Sequence, residues 1–128
     1  MYKILVVEDE KILRDGICEE FDSMGIFEIS SASNGLEALR MMRQQTFDGI
    51  VLDIKMPKMD GLELLSQMSQ ENISPVKIVI SGYDEFEYAQ KAIKYGVIEY
   101  VLKPFMPQTL RDIGKKPVSY THLRAHET

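Results

Sequence analysis

The stretch Ile50-Val51-Leu52-Asp53-Ile54-Lys55-Met56-Pro57-Lys58-Met59-Asp60-Gly61 decides the fold. Its three leading aliphatics read as a strand buried on both faces, the pattern of a central strand in a parallel sheet. Asp53 stands where that strand runs out, and Met56-Pro57 cannot extend the ladder because proline lacks the N–H donor. Asp60-Gly61 reads as a turn that opens a helix. A carboxylate at the end of a buried strand lies on the side of an open α/β sheet where ligands bind. Taken alone, Asp53 reads more readily as a loop cap. The ends of the other strands decide between the two readings.

Upstream, Ile4-Leu5-Val6-Val7 is a second aliphatic strand, and it ends in Glu8-Asp9-Glu10. Leu13, Ile17, Phe21 and Met24 then recur at helical spacing, with Gly25 as the stop. Phe27 to Ser33 is a weaker strand, suited to a sheet edge. Asn34 and Glu37 resemble a capping box for a helix that turns Ala38, Leu39 and Met42 inward. Downstream of Asp53, Asp60 and Glu63 repeat that logic, and Leu64, Leu65 and Met68 form the buried stripe. Val76 to Ile80 is the fourth strand, ending in Ser81-Gly82. Asp84 and Glu87 are expected to cap the next helix, with Ala89, Ala92 and Ile93 inward and Gly96 closing it. Ile98 to Leu102 is the fifth strand, ending in Lys103-Pro104. Pro107 suits the first turn of a last helix with Leu110 and Ile113 inward. Strands and helices alternating five times at short intervals predict an α/β fold: a doubly wound five-stranded parallel sheet with helices on both faces.

Composition narrows the function. At 128 residues the chain is expected to form one domain, with 45% hydrophobic and 27% charged residues. A net charge of -5 offers nothing to nucleic acid or an anionic membrane. No apolar run approaches a membrane span of roughly 18 residues, and no signal-peptide pattern opens the chain. The single cysteine, Cys18, lies in a helical pattern as a packing residue and suits a reducing compartment. A cytoplasmic location without membrane contact is the expectation.

The end of the chain departs from the pattern. Gly114 weakens the last helix and Pro117 stops it, so the fifth helix reads as truncated. Val118 to Thr128 fits no amphipathic register. It holds His122 and His126 at i and i+4, without the acidic or thiol partner a metal site needs. This segment resembles the translation of an adapter used in DNA library preparation. Residues 1–116 are therefore expected to form the domain and 117–128 a non-native or disordered tail.

Four strand ends present polar groups: Glu8 and Asp9, Asp53, Ser81, and Lys103. In a right-handed parallel fold these ends share one edge. Each has a plain explanation alone, as helix-dipole partner, turn residue or solvated surface. Together they do not, because interior polar groups are costly unless they serve one another. Converging carboxylates repel and raise one another's pKa unless a cation intervenes. An oxygen-only donor set suits Mg²⁺ better than zinc. An ionised aspartate there is a nucleophile for a phosphoryl group, given a metal and a lysine to neutralise charge.

These residues resemble the receiver domain of two-component response regulators, of the chemotaxis-receiver type, over Met1 to Lys116. The matching motifs are Val7-Glu8-Asp9-Glu10, Leu52-Asp53 through Met56-Pro57 to Met59-Asp60-Gly61, Ile80-Ser81-Gly82, and Tyr100-Val101-Leu102-Lys103-Pro104-Phe105. The resemblance implies a flavodoxin-like strand order 2-1-3-4-5. It implies Asp53 as phosphoacceptor for a sensor histidine kinase, with Lys103 paired to the phosphoryl group and a cis peptide between Lys103 and Pro104. Asp9, Asp53 and the Lys55 backbone carbonyl would bind Mg²⁺, with Glu8 close by. Ser81 and Tyr100 would form the switch, repacking the surface of the fourth helix, fifth strand and fifth helix, which is also the face for a homodimer. The domain would be no enzyme beyond catalysing its own phosphorylation and dephosphorylation.

The run from Ser81 to Lys103-Pro104 further resembles regulators whose receiver precedes an AraC-type DNA-binding region. DNA contact, and so transcriptional output, would then pass only through a C-terminal region that this sequence lacks. Three rivals share parts of the pattern. A haloacid-dehalogenase-type phosphohydrolase places Asp-x-Asp after its first strand, where this chain has Glu8-Asp9-Glu10. A flavodoxin-like cofactor binder needs a Gly/Ser/Thr-rich phosphate loop there. An unphosphorylated pseudo-receiver would lack the intact acidic set.

Overall fold

The computed structural model describes residues 1–115. The tail read as non-native, with His122 and His126, lies outside the described residues. Five strands, β1 (Tyr2–Val7), β2 (Phe27–Ala32), β3 (Gly49–Asp53), β4 (Val76–Ser81) and β5 (Val97–Leu102), form one sheet in the order β2-β1-β3-β4-β5. All four pairings are parallel. Helices α1 (Lys11–Asp22), α2 (Gly35–Gln44), α3 (Gly61–Gln70) and α4 (Phe86–Gln90) connect the strands, and α5 runs over 107–115.

Period-two alternation divides each central strand between two cores. Leu5, Val7, Ile50, Leu52 and Val79 face α2 and α3, meeting Ala38, Leu39, Met42, Leu64, Leu65 and Met68. Ile4, Val6, Val51, Ile78, Ile80 and Val101 face the opposite way, meeting Ile17 and Phe21 of α1 and Leu110 and Ile113 of α5. Phe21 and Phe27 close that second layer edge to face, with ring centroids 5.7 Å apart. The uninterrupted aliphatic runs of β1, β3 and β4 follow from this two-sided burial.

The expected helix starts of α2 and α3 are present. Asn34 accepts the Glu37 N–H at 2.9 Å, and Glu37 reaches back to Ser33 rather than to Asn34 itself. Asp60 and Glu63 form a complete capping box. The first turn of α2 has a further support: the N–H groups of Gly35 and Leu36 donate to the carbonyls of Met59 and Lys58, each at 3.2 Å.

The segment after β4 differs from expectation. Instead of one helix capped by Asp84, a 3₁₀ turn over Tyr83–Glu85 leads into the short α4, and a second 3₁₀ turn spans Ile93–Tyr95. The entry is held by Glu85, whose Oε1 accepts the Gly82 N–H at 2.5 Å. Ala89 and Ala92 are buried as expected, but Ile93 is 60% exposed. The tighter winding of a 3₁₀ turn rotates it off the face that the two alanines occupy. Helix α5 continues through Gly114 to residue 115. A Cβ there would lie 2.7 Å from Met24 Sδ, so glycine lets α5 approach α1 closely.

Candidate functional site

The carboxyl ends of β1, β3, β4 and β5 meet on one edge. Val7 pairs with Leu52 and Asp53 with Ile80, so Glu8 and Asp53 come level one step further along. The Ile54 N–H donates to Ile80 O at 2.9 Å and the Lys103 N–H to Ser81 O at 2.9 Å, holding the ends in step. Glu8, Asp53 and Ser81 are buried, while Asp9 is exposed at the rim. One carboxylate oxygen from each of Glu8, Asp9 and Asp53 lies within 4.8 Å of the others.

Lys103 reaches into this cluster from the end of β5. Its Nζ is 2.8 Å from Asp53 Oδ2 and 3.5 Å from Glu8 Oε1. The Lys103–Pro104 peptide is cis. Burial works against the Lys103 ammonium, but the hydrogen bond to Asp53 and the charges of Asp53, Glu8 and Glu10 outweigh it and raise its pKa.

Glu8 is the strained member of the set. It is fully buried, and neither carboxylate oxygen has a hydrogen-bond donor among the described residues. Its pKa is pushed up to about 8, first by burial and then by Asp53, against the opposing charge of Lys103. Asp53 can bond to Glu8 only when a proton sits between the two carboxylates; with both ionised, each is an acceptor alone. Orphaned carboxylate oxygens in an oxygen-only cluster fit a hard divalent cation, which would satisfy them and displace that proton.

Backbone contacts fix the rest. The Lys55 N–H donates to Asp53 Oδ1 at 3.3 Å, so residue 55 lies directly against the carboxylate. Arg14 Nη1 donates to the Glu8 carbonyl at 2.8 Å, tying α1 to the end of β1. The loop then passes through positive φ at Lys58 (49°) and Met59 (75°), a conformation non-glycine residues adopt at some cost. It returns so close that a Cβ on Gly61 would lie 2.7 Å from the Asp53 carbonyl oxygen and 2.7 Å from Ile54 Cα. Only glycine fits there.

Ser81 and Tyr100 sit beside one groove, lined also by Phe86, Ala89, Ile93 and Leu102. Tyr100 is 40% exposed. Sequence reasoning missed one contact. The Tyr88 hydroxyl, in α4, donates to Asp60 Oδ2, and the Lys55 ammonium lies 5.7 Å from the Tyr88 ring centroid. The Asp60 hydrogen bond, then burial, pushes the Tyr88 pKa up to about 12, so this hydroxyl remains a donor. Helical spacing carries no signal for a bond of that range.

A parallel α/β sheet with an acidic pocket, a strand-end aspartate and a lysine paired to it defines the receiver class of domain. The response regulator receiver domain model matches residues 4–115, and the chain belongs to that family. It is 45% identical over 112 residues to the uncharacterized transcriptional regulatory protein YesN of Bacillus subtilis (strain 168), across 86% of this chain and 30% of that protein. Identity to the transcriptional regulatory protein HptR of Staphylococcus aureus is 33% over 107 residues, 81% of this chain and 41% of that one. Among solved structures, the REC domain of AraT, a response regulator from Geobacillus stearothermophilus, is 38% identical with a TM-score of 0.86, covering 99% of this chain and 98% of that chain. A CheY-like receiver domain protein from Methanospirillum hungatei superposes with a TM-score of 0.88 at 26% identity, covering 97% and 98%. The chain spans 30% of YesN and 41% of HptR. Among the described residues no helix is long and apolar enough to cross a membrane.

Proposed function

We propose that this domain accepts a phosphoryl group on Asp53 from a sensor histidine kinase and passes the change to a transcriptional output region. One observation carries the reading: a buried strand-end carboxylate, Asp53, held 2.8 Å from Lys103 and flanked by the carboxylates of Glu8 and Asp9. Nothing about that cluster improves packing, and it concentrates the groups that phosphoryl transfer needs.

In the reaction an Asp53 oxygen attacks phosphorus, the P–N bond to the kinase histidine breaks, and that nitrogen recovers a proton. Lys103 follows the charge from the carboxylate to the phosphoryl oxygens, and the Ser81 hydroxyl donates to one of them. Asp9, Asp53 and the Lys55 carbonyl, with Glu8 beside them, would hold Mg²⁺, which when bound would supply electrostatic stabilisation to the transferring group. The domain catalyses its own phosphorylation and dephosphorylation and turns over no other substrate.

Phosphorylation adds charge and acceptor oxygens at this edge. Ser81 closes on them, and Tyr100 turns toward the groove it now borders, biasing a two-state equilibrium of the α4–β5–α5 surface. That surface exposes Phe86, Ile93, Tyr100 and Leu102 together, which suits a homodimer of activated domains. The similarity to transcriptional regulators of more than twice this length supports an output region that makes the DNA contact; its AraC type is proposed from the run Ser81 to Pro104 alone.

Acetyl phosphate with Mg²⁺ tests the reading directly. One acid-stable, base-labile phosphate per wild-type chain, lost in Asp53→Asn, is expected by intact mass. An adduct that persists in Asp53→Asn moves the site elsewhere, and rapid release of free phosphate in excess turns the domain into a hydrolase.

A further inference from the structure

The Tyr88 side chain touches both ends of the loop that carries the acceptor. At the far end its hydroxyl donates to Asp60 Oδ2, while Asp60 Oδ1 accepts the Glu63 N–H at 2.9 Å and starts α3. At the near end its ring faces the Lys55 ammonium, and the Lys55 N–H donates to the Asp53 carboxylate. Behind the ring, Tyr88 packs on the core layer that includes Leu52, Ile54 and Met56. The next residue, Ala89, lines the groove shared by Ser81 and Tyr100. Tyr88 is thus the one described side chain of α4 with a hydrogen bond to the Asp53 loop and a ring contact to its lysine.

We propose that Tyr88 is a positioning residue that clamps the Asp53 loop to α4, so that the state of Asp53 and the position of α4 are coupled through its side chain. This deepens the phosphoacceptor reading and rests on it. The two halves of the clamp behave differently. Asp60 is already fixed by its capping box, so the hydroxyl bond anchors α4 to a rigid point, and a donor to an ionised carboxylate makes a strong hydrogen bond. Lys55 belongs to the part of the loop in contact with Asp53. Any cation or phosphoryl group that resets residue 55 also resets the ammonium against the ring. The clamp therefore has one fixed jaw and one that moves with the site. Such coupling is reciprocal: what occupies the Asp53 pocket shifts α4, and what holds α4 shifts affinity at the pocket.

Hydrogen exchange on the full chain, with and without beryllofluoride and Mg²⁺, reads both ends at once. In wild-type protein the analogue should slow exchange over 54–60 and over α4. Tyr88→Phe keeps the ring and loses the anchor; it should still protect 54–60 but lose most of the α4 response. Its beryllofluoride affinity should shift by at least about fivefold, the lower end of ordinary allosteric coupling. Tyr88→Leu, which removes both jaws, should abolish the α4 response. Asp60→Asn keeps Oδ1 as the acceptor for Glu63 and turns an Nδ2 donor toward Tyr88, whose hydroxyl would then accept a weaker, neutral bond, so it should fall between wild type and Tyr88→Phe. An α4 response and an affinity in Tyr88→Phe equal to wild type would overturn the clamp while leaving Asp53 as acceptor. No analogue-linked protection in wild-type protein would overturn the phosphoacceptor reading, and the clamp with it.

Discussion

Lys103 Nζ lies 2.8 Å from Asp53 Oδ2 although fifty residues separate them in sequence. β4 lies between their strands, so the lysine reaches across one strand end on the shared edge, and it places a fixed cation beside two buried carboxylates. Replacing Lys103 with alanine should slow phosphorylation by acetyl phosphate on the order of 10²-fold, the usual cost of losing one preorganised electrostatic group. Calorimetric titration should find Mg²⁺ binding retained, because the lysine is a competing cation and not a ligand. Wild-type transfer rates in Lys103→Ala would remove the lysine from the chemistry.

Glu8 should make the metal-free domain lose stability as pH rises from acid to about 8. Its folded pKa, about 8, stands above the ordinary 4.5 of a glutamate, so the folded state holds a proton that the unfolded chain has released. The stability this confers is complete below about pH 4.5 and is lost as pH rises toward 8. Urea unfolding in EDTA should show stability falling across that window, with a slope approaching about 1.4 kcal/mol per pH unit. Glu8→Gln should flatten the profile. Mg²⁺ should restore stability most at the upper end, where the displaced proton is easiest to lose. A metal-free profile unchanged by Glu8→Gln would refute this account.

Two glycines should respond to alanine to different degrees. At Gly61 the new Cβ would meet backbone, the Asp53 carbonyl and Ile54 Cα, which cannot yield without moving the acceptor strand. Gly61→Ala should cost about 1–3 kcal/mol and slow phosphorylation as well. At Gly114 the Cβ would meet Met24 Sδ, in a flexible side chain that can move, and the edge of the Phe21 ring at 3.1 Å, while alanine favours helix. Gly114→Ala should change stability by less than about 1 kcal/mol. Equal losses in urea melts would show that close approach is not what selects glycine at residue 61.

Activation should double the sedimenting mass. With beryllofluoride and Mg²⁺ the domain is expected to pair through the face that exposes Phe86, Tyr100 and Leu102. Phe86→Glu puts a charge into that apolar patch and should leave the protein monomeric in analytical ultracentrifugation while the Asp53 adduct still forms. A dimer that survives Phe86→Glu would place the interface elsewhere.

The parts of the fold written in local chemistry were readable in advance. Aliphatic runs mark β1, β3 and β4 because both of their faces are covered, and Asn34 and Asp60 mark helix starts because their side chains accept from the first turn. The convergence of Glu8, Asp9, Asp53 and Lys103 followed from strand ends sharing an edge. What escaped depends on tertiary context. Ile93 is exposed because the backbone tightens beneath it, which apolar periodicity does not register. Lys77 is buried within β4, with its ammonium donating to the Pro75 carbonyl at 3.2 Å, and no pattern distinguishes that lysine from an outward one. The orphaned oxygens of Glu8 and the reach of Tyr88 to Asp60 likewise exist only once the strands and helices are docked.

The carbonyls of Lys58 and Met59 that receive the first N–H groups of α2 carry one more consequence. A helix whose opening turn leans on another element's entrance has no independent length. Residues 54–60 therefore act as a ruler between the acceptor strand and two helices, and an added or deleted residue there would unseat α2 and α3 together. For anyone grafting a tag or reporter into this domain, that short stretch is the segment to leave untouched.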